Sequence, residues 1–158
     1  MFHNALLAPP DEHLIRRALI NFVLCIFGSP ALFYIINIVT MMAEIPKHKI
    51  LNLGFIIFVF VVPLVKTLIL VGLLALTPRR WSIVPWAIIS ATLWGGLHAF
   101  VYYDLLWFSS TFLSFFVFSC GYLVWRQKSF IHGFAAAILP HVLLNALFAT
   151  LGPTVFRL

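Results

Sequence analysis

Apolar residues fill most of the chain in long uninterrupted stretches, and polar residues are confined to short segments between them. A stretch of about 20 apolar residues is long enough for a helix to cross the hydrocarbon core of a bilayer. We therefore expect an all-α polytopic membrane bundle that forms one transmembrane domain over residues 1–158. The pattern predicts five transmembrane helices, at 18–42, 50–76, 82–103, 105–125 and 130–151.

The composition supports this class of protein. Hydrophobic residues make up 63% of the chain, and the mean hydropathy is +1.10. Charged residues make up only 9%, against about 25% in a typical soluble domain. Cys25 and Cys120 both lie inside apolar stretches, so we expect small core residues rather than a disulfide pair.

Basic residues cluster in the segments between the predicted helices, where they would meet anionic head groups. Membrane lipids, and not nucleic acid, are therefore the expected partners of this positive charge. A cytoplasmic N-terminus puts six basic residues on the cytoplasmic side: Arg16, Arg17, Arg79, Arg80, Arg126 and Lys128. Lys47, Lys49 and Arg157 fall on the opposite side. The positive-inside rule predicts this orientation, with the C-terminus outside, and a bacterial inner membrane is the expected location.

Lys66 is the most costly polar residue for a bilayer to accept, because it lies well inside the second predicted helix. A lysine at mid-membrane costs about 2.5–3.5 kcal/mol on insertion scales and must face protein or a wet cavity. Three roles are open at this point. Lys66 could supply the charge of a functional site, extend toward the interface, or pair as a neutral amine with a backbone carbonyl freed by Pro63.

His98 and His141 lie in two further predicted helices, and Asn145 follows His141 by one turn on the same face. Such a trio could bind zinc or activate a water, but both chemistries normally also use a carboxylate. The acidic residues all fall at predicted helix ends or in loops: Asp11, Glu12, Glu44 and Asp104. The alternative is a pair of core histidines satisfied by mutual hydrogen bonds or a shared water.

Small residues at four-residue spacings predict close helix packing. They are Ala91, Gly95, Gly96, Gly133 and Ala137.

These polar positions also carry a resemblance to a known family. Over residues 60–151 the chain resembles the CPBP family of intramembrane endopeptidases, which includes CAAX prenyl-protein proteases and bacteriocin self-immunity proteins. The segment WGGLH, ending at His98, is similar to the second family motif, an aromatic residue followed by three others and histidine. The segment HVLLN, from His141 to Asn145, matches the third motif, His-x-x-x-Asn. The resemblance places all three residues at catalytic-motif positions.

The first family motif, Glu-Glu-x-x-x-Arg followed by Gly, is altered in this chain. With Gly72 in the glycine position, Lys66 and Thr67 replace the two glutamates and Val71 replaces the arginine. In the family, glutamate and the histidines activate the attacking water. Here a cation would stand in place of the general base, and it would repel a metal ion.

Three functions follow from these patterns. The first is a non-catalytic relative, a pseudo-peptidase without a cofactor, acting as a scaffold or accessory subunit that binds another integral membrane protein. The second is an intramembrane endopeptidase with an atypical site, CAAX-protease-like or involved in bacteriocin self-immunity; zinc, held by His98 and His141, belongs to this hypothesis alone. The third is a small transporter or proton path that uses Lys66 and the histidines.

Overall fold

The computed structural model describes residues 13–28, 53–78, 82–103 and 105–151. These residues form five helices and no strand, which confirms the all-α fold. The helices are α1 (Leu14–Gly28), α2, α3 (Ile83–Tyr102), α4 (Leu105–Trp125) and α5 (Phe130–Leu151). Helix α2 is continuous but changes register, with an α-helical turn Leu53–Ile56, a π-helical segment Ile57–Val61 and an α-helix Val62–Ala75.

Helices α2 to α5 are each long and apolar enough to cross a membrane, which supports an integral membrane protein. Helix α1 begins at Leu14 and is described as far as Gly28. The remainder of the first predicted span, 18–42, lies outside the described residues.

Helix α4 is the centre of the bundle. The buried share of its apolar stretch is 61%, against 28% for α2 and 33% for both α3 and α5. Helix α3 packs along α4, and α5 packs against α4, α2 and α1. Because α4 is surrounded, its aromatic residues contribute to the core, including the buried Phe115 and Phe118. The less buried helices present apolar side chains outward, as lipid contact requires.

One end of the bundle carries most of the described positive charge, and we call it the basic end. Leu14, Ile83 and Trp125 pack together there, so the starts of α1 and α3 meet the end of α4. Arg16, Arg17, Arg126 and Lys128 belong to these helix ends. Among the basic residues that the structure describes, Lys66 alone lies far from this end.

Arg126 has a role that the sequence did not reveal. The charge pattern predicts a loop residue near lipid head groups, but Arg126 is only 7% exposed. Its guanidinium donates hydrogen bonds to the Leu74 carbonyl at 2.6 Å and the Pro78 carbonyl at 3.5 Å. These carbonyls lie at the C-terminus of α2, where helix geometry leaves acceptors unpaired and the helix dipole favours a cation. Arg126 therefore caps α2.

The small residues divide into two groups. Ala91, Gly95, Gly133 and Ala137 are buried as predicted, whereas Gly96 faces outward. A Cβ added at Gly133 would lie 2.9 Å from the Arg126 backbone nitrogen, and one at Gly95 would lie 3.0 Å from the Phe108 carbonyl oxygen. A Cβ at Gly96 would meet nothing within 4 Å, so the prediction of close packing is wrong there.

The two cysteines match the prediction from the sequence. Cys25 and Cys120 are both buried and free, so they serve as small core residues.

Candidate functional site

Lys66 and Thr67 are adjacent on α2, and each reaches a different histidine. The Lys66 Nζ lies 2.9 Å from His98 Nε2 on α3, and the Thr67 Oγ1 lies 3.0 Å from His141 Nδ1 on α5. The four side chains form one polar cluster inside the membrane-spanning part of the bundle, which we call the Lys66 cluster. The fold thus brings together Lys66, Thr67, His98 and His141, which the sequence singled out separately.

The hydrogen bonds of His98 define its tautomer. Its Nδ1 lies 2.9 Å from the Trp94 carbonyl oxygen one turn earlier on α3. A carbonyl can only accept, so Nδ1 carries the hydrogen. A neutral imidazole with its hydrogen on Nδ1 has only a lone pair at Nε2, whereas the lysine amine always carries N–H groups. Lys66 therefore donates, and the His98 Nε2 lone pair accepts. Both ring nitrogens of His98 are used.

His141 is the more deeply buried of the two histidines, at 4% exposed. Its hydrogen-bond partner Thr67 is completely buried, so this contact is shielded from lipid and from water. The contact ties the middle of α2 to the middle of α5. A polar pair in such surroundings is stabilised by the cost of leaving either group unpaired in an apolar interior.

Aromatic rings of α4 form the wall between the two histidines. The Phe115 ring lies 6.2 Å from the His98 ring and 5.4 Å from the His141 ring, measured between centroids. Phe118 stacks on His141 at 4.8 Å, and Trp94 stacks on Phe115 at 4.6 Å. Each imidazole therefore has its own side-chain partner on α2, Lys66 for His98 and Thr67 for His141.

Asn145 binds backbone rather than a site side chain. Its Nδ2 donates to the Phe58 carbonyl at 2.9 Å. Within the π-helical segment, carbonyls pair with the amide five residues later, as the bond from the Val62 amide to the Ile57 carbonyl shows. The next amide in this register would be that of residue 63, but Pro63 has no N–H to give. Asn145 donates to the backbone of α2 at this point, where the proline cannot.

This arrangement corrects one prediction for Lys66. The side chain that donates to a backbone carbonyl close to Pro63 is that of Asn145, and not that of the lysine. Lys66 instead hydrogen-bonds to His98, as a residue of the Lys66 cluster. Two other residues singled out by the resemblance make no polar contact with the cluster: Val71 is buried in the hydrophobic core, and Gly72 is exposed with open space around it.

The donor set does not suit zinc. A zinc ion needs lone pairs from about three protein ligands, and the Nε2 lone pair of His98 already accepts from the Lys66 amine. The described residues contain no group of three histidine, cysteine or acidic side chains that could hold a metal ion. Asp104, the acidic residue closest in sequence to His98, lies outside the described residues.

Several contacts of the cluster had no clear signal in the sequence. In the sequence Thr67 is notable only as a substituted position of the first family motif. Nothing in the sequence distinguishes Phe115 or Phe118 from the other aromatic residues of α4. The link between Pro63 and Asn145 joins positions far apart in the chain, so only the three-dimensional fold reveals it.

Comparison of the chain with protein-family models, with curated proteins and with solved structures finds no match in any of the three.

Proposed function

We propose that this chain is a non-catalytic membrane protein related to the CPBP intramembrane endopeptidases. In this proposal it acts as a scaffold or accessory subunit that binds another integral membrane protein. The Lys66 cluster then holds α2, α3 and α5 together and no longer activates water.

One observation carries this proposal, the hydrogen bond from Lys66 Nζ to His98 Nε2 at 2.9 Å. A histidine that activates water, or binds a metal, needs an available lone pair. In His98 the Nδ1 is protonated toward the Trp94 carbonyl, and the Nε2 lone pair is taken by lysine. The substitution of glutamate by lysine thus removes the expected base and also occupies the neighbouring histidine.

The proposed orientation has the basic end in the cytoplasm. The positive-inside rule favours the side richer in arginine and lysine near helix ends. Arg16, Arg17, Arg126 and Lys128 all belong to that end. This orientation gives a cytoplasmic N-terminus and, for a bacterial chain, residence in the inner membrane.

Native mass spectrometry of the full chain tests the proposed function. The tagged chain is extracted gently from its source membrane and weighed intact. We expect a second integral membrane protein in fixed stoichiometry. A monomer or a homo-oligomer without such a protein would contradict the proposal. A matched preparation carrying Lys128→Met, a change at the surface of the basic end, should keep the same assembly.

A peptidase with an atypical site is the second candidate, and the convergence of Lys66, Thr67, His98 and His141 in one cluster favours it. In that case Lys66, and not glutamate, would have to act as the base. A prenylated CAAX peptide in proteoliposomes is a suitable probe. We expect no cleavage by the wild-type chain. Cleavage that His98→Ala and His141→Ala each abolish, at normal expression, would favour the peptidase over the scaffold.

A further inference from the structure

The amine of Lys66 lies near the middle of the membrane. In the span Gly54–Ala75, twelve residues precede Lys66 and nine follow it. At a rise of about 1.5 Å per residue, its Cα is about 14 Å from the nearer end, which is the basic end. Helical side chains lean toward the N-terminus of their helix, so the lysine points away from that end and deeper into the bilayer. The phosphate of a lipid head group is therefore out of its reach.

The described part of the chain offers this cation no carboxylate. The acidic residues of the sequence all lie outside the described residues, and the hydropathy pattern puts them at helix ends or in loops: Asp11, Glu12, Glu44 and Asp104. His98 gives Lys66 a neutral lone pair, which satisfies one N–H but does not balance its charge. Cations buried in membranes generally pair with an acidic group.

Lys66 is also accessible from the outer surface of the bundle. Both Lys66 and His98 are half-buried, unlike Thr67 and His141. The helices that carry them, α2 and α3, meet over only a few residues, since α3 packs mainly on α4 and α2 mainly on α5. Exposed apolar residues are close in sequence to both partners, since Ile69, one turn after Lys66 on α2, and Leu97, next to His98 on α3, are each 50% exposed. We call this surface the α2/α3 groove.

We propose that the α2/α3 groove binds a transmembrane helix of another protein, and that an aspartate or glutamate at mid-span of that helix pairs with Lys66. This inference rests on the proposed function and names the chemistry of the partner. The apolar borders of the groove suit the body of a transmembrane helix, and the amine selects one that carries an acid. Because both charges are costly in lipid when alone, their pairing gives specificity for this partner.

A synthetic helix tests the pairing without knowledge of the natural partner. The probe is a leucine/alanine transmembrane peptide with one glutamate at its centre, and the matched control has glutamine there. Each is mixed with the fluorescently tagged full chain in phosphatidylcholine vesicles, and association is measured by energy transfer. We expect the glutamate peptide to bind at least ten-fold more tightly than the glutamine peptide. Equal binding of the two peptides to the wild-type chain would overturn the inference, and this comparison needs no variant to fold.

Variants of the chain test whether Lys66 is the residue responsible for the preference for glutamate. Lys66→Met should abolish the preference for glutamate, Lys66→Arg should keep it, and Lys128→Met, the same chemical change at the basic end, should leave it intact. A preference that survives Lys66→Met would overturn the inference.

The inference and the proposed function fail in different ways. If the native assembly keeps its partner after Lys66→Met, the proposed function is supported, but the binding of an acidic helix in the α2/α3 groove is contradicted. The absence of any native partner removes the proposed function, while the peptide comparison still decides whether Lys66 selects an acid.

Discussion

Asn145 should stabilise the bundle through its hydrogen bond to the backbone of α2, and the absence of an N–H at Pro63 should make that bond more important. The Asn145 amide donates to the Phe58 carbonyl at 2.9 Å, in place of the backbone N–H that proline lacks. Hydrogen bonds between helices in membranes contribute about 0.6 kcal/mol on average and about 1.7 kcal/mol at most. We therefore expect Asn145→Ala to lower the free energy of unfolding by about 1–2 kcal/mol.

The same substitution should cost much less when residue 63 can donate. Pro63→Ala restores an N–H that can pair with the Phe58 carbonyl in the π-helical register, or can return α2 to a regular α-helix. In that background the Phe58 carbonyl no longer relies on Asn145 for a hydrogen bond. The packing lost on replacing asparagine is common to both backgrounds, so it cancels in the double-mutant cycle. We expect a coupling free energy of about 1 kcal/mol, comparable to one net hydrogen bond.

Reversible unfolding by sodium dodecyl sulfate in mixed lipid micelles, followed by tryptophan fluorescence, provides the assay. Asn21→Ala serves as a control, because this buried asparagine lies on α1 and packs against Gly121 of α4. Asn21→Ala should change the free energy of unfolding by the same amount with proline or alanine at position 63, because the effects of distant substitutions are additive. An Asn145→Ala cost that is equal in the two backgrounds would refute the assignment of Asn145 as the substitute donor.

Three further predictions concern stability in the same assay. Thr67→Val should lower the free energy of unfolding by about 1–2 kcal/mol because His141 loses its hydrogen bond, whereas Thr67→Ser should restore most of it; equal losses would contradict the contact. Arg126→Met should cost about 1 kcal/mol through the loss of its hydrogen bonds to α2, since the Leu74 carbonyl keeps its bond from the Thr77 hydroxyl, and an unchanged free energy would contradict the cap. Gly133→Ala should cost about 1–3 kcal/mol through the close approach to Arg126, while Gly96→Ala should change stability by less than about 0.5 kcal/mol; the reverse order would refute the packing argument.

The helical architecture could be predicted from sequence because membrane insertion imposes a simple rule. A helix in lipid must satisfy its own backbone and present apolar side chains, so a long apolar stretch is sufficient evidence for it. The run FIHGFAAAILPHVLLNALFATL illustrates this, since it forms α5 in full despite Pro140 within it. The register change in α2 had no comparable signal, because the energy of a π-helical segment depends on a donor from another helix.

The candidate site was predictable only as a set of residues. Lys66, His98 and His141 attract attention because polar groups inside predicted membrane helices are costly. Their pairing depends on which faces of α2, α3 and α5 meet, and nearly uniform hydrophobicity around each helix hides those faces. For the same reason Arg126 was predicted at the lipid surface, although the turn before α5 places it over the end of α2.

The state of the His98 ring tests the central claim most directly. Histidine labelled with nitrogen-15 is observed in the full chain in lipid bilayers by solid-state magnetic resonance, and His98→Gln identifies the His98 signals. The account predicts a neutral ring with the hydrogen on Nδ1, and an unprotonated Nε2 whose resonance shifts when Lys66→Met removes its donor. A ring protonated on Nε2, or an Nε2 resonance indifferent to Lys66→Met, would show that lysine does not occupy the histidine lone pair and would contradict the non-catalytic account.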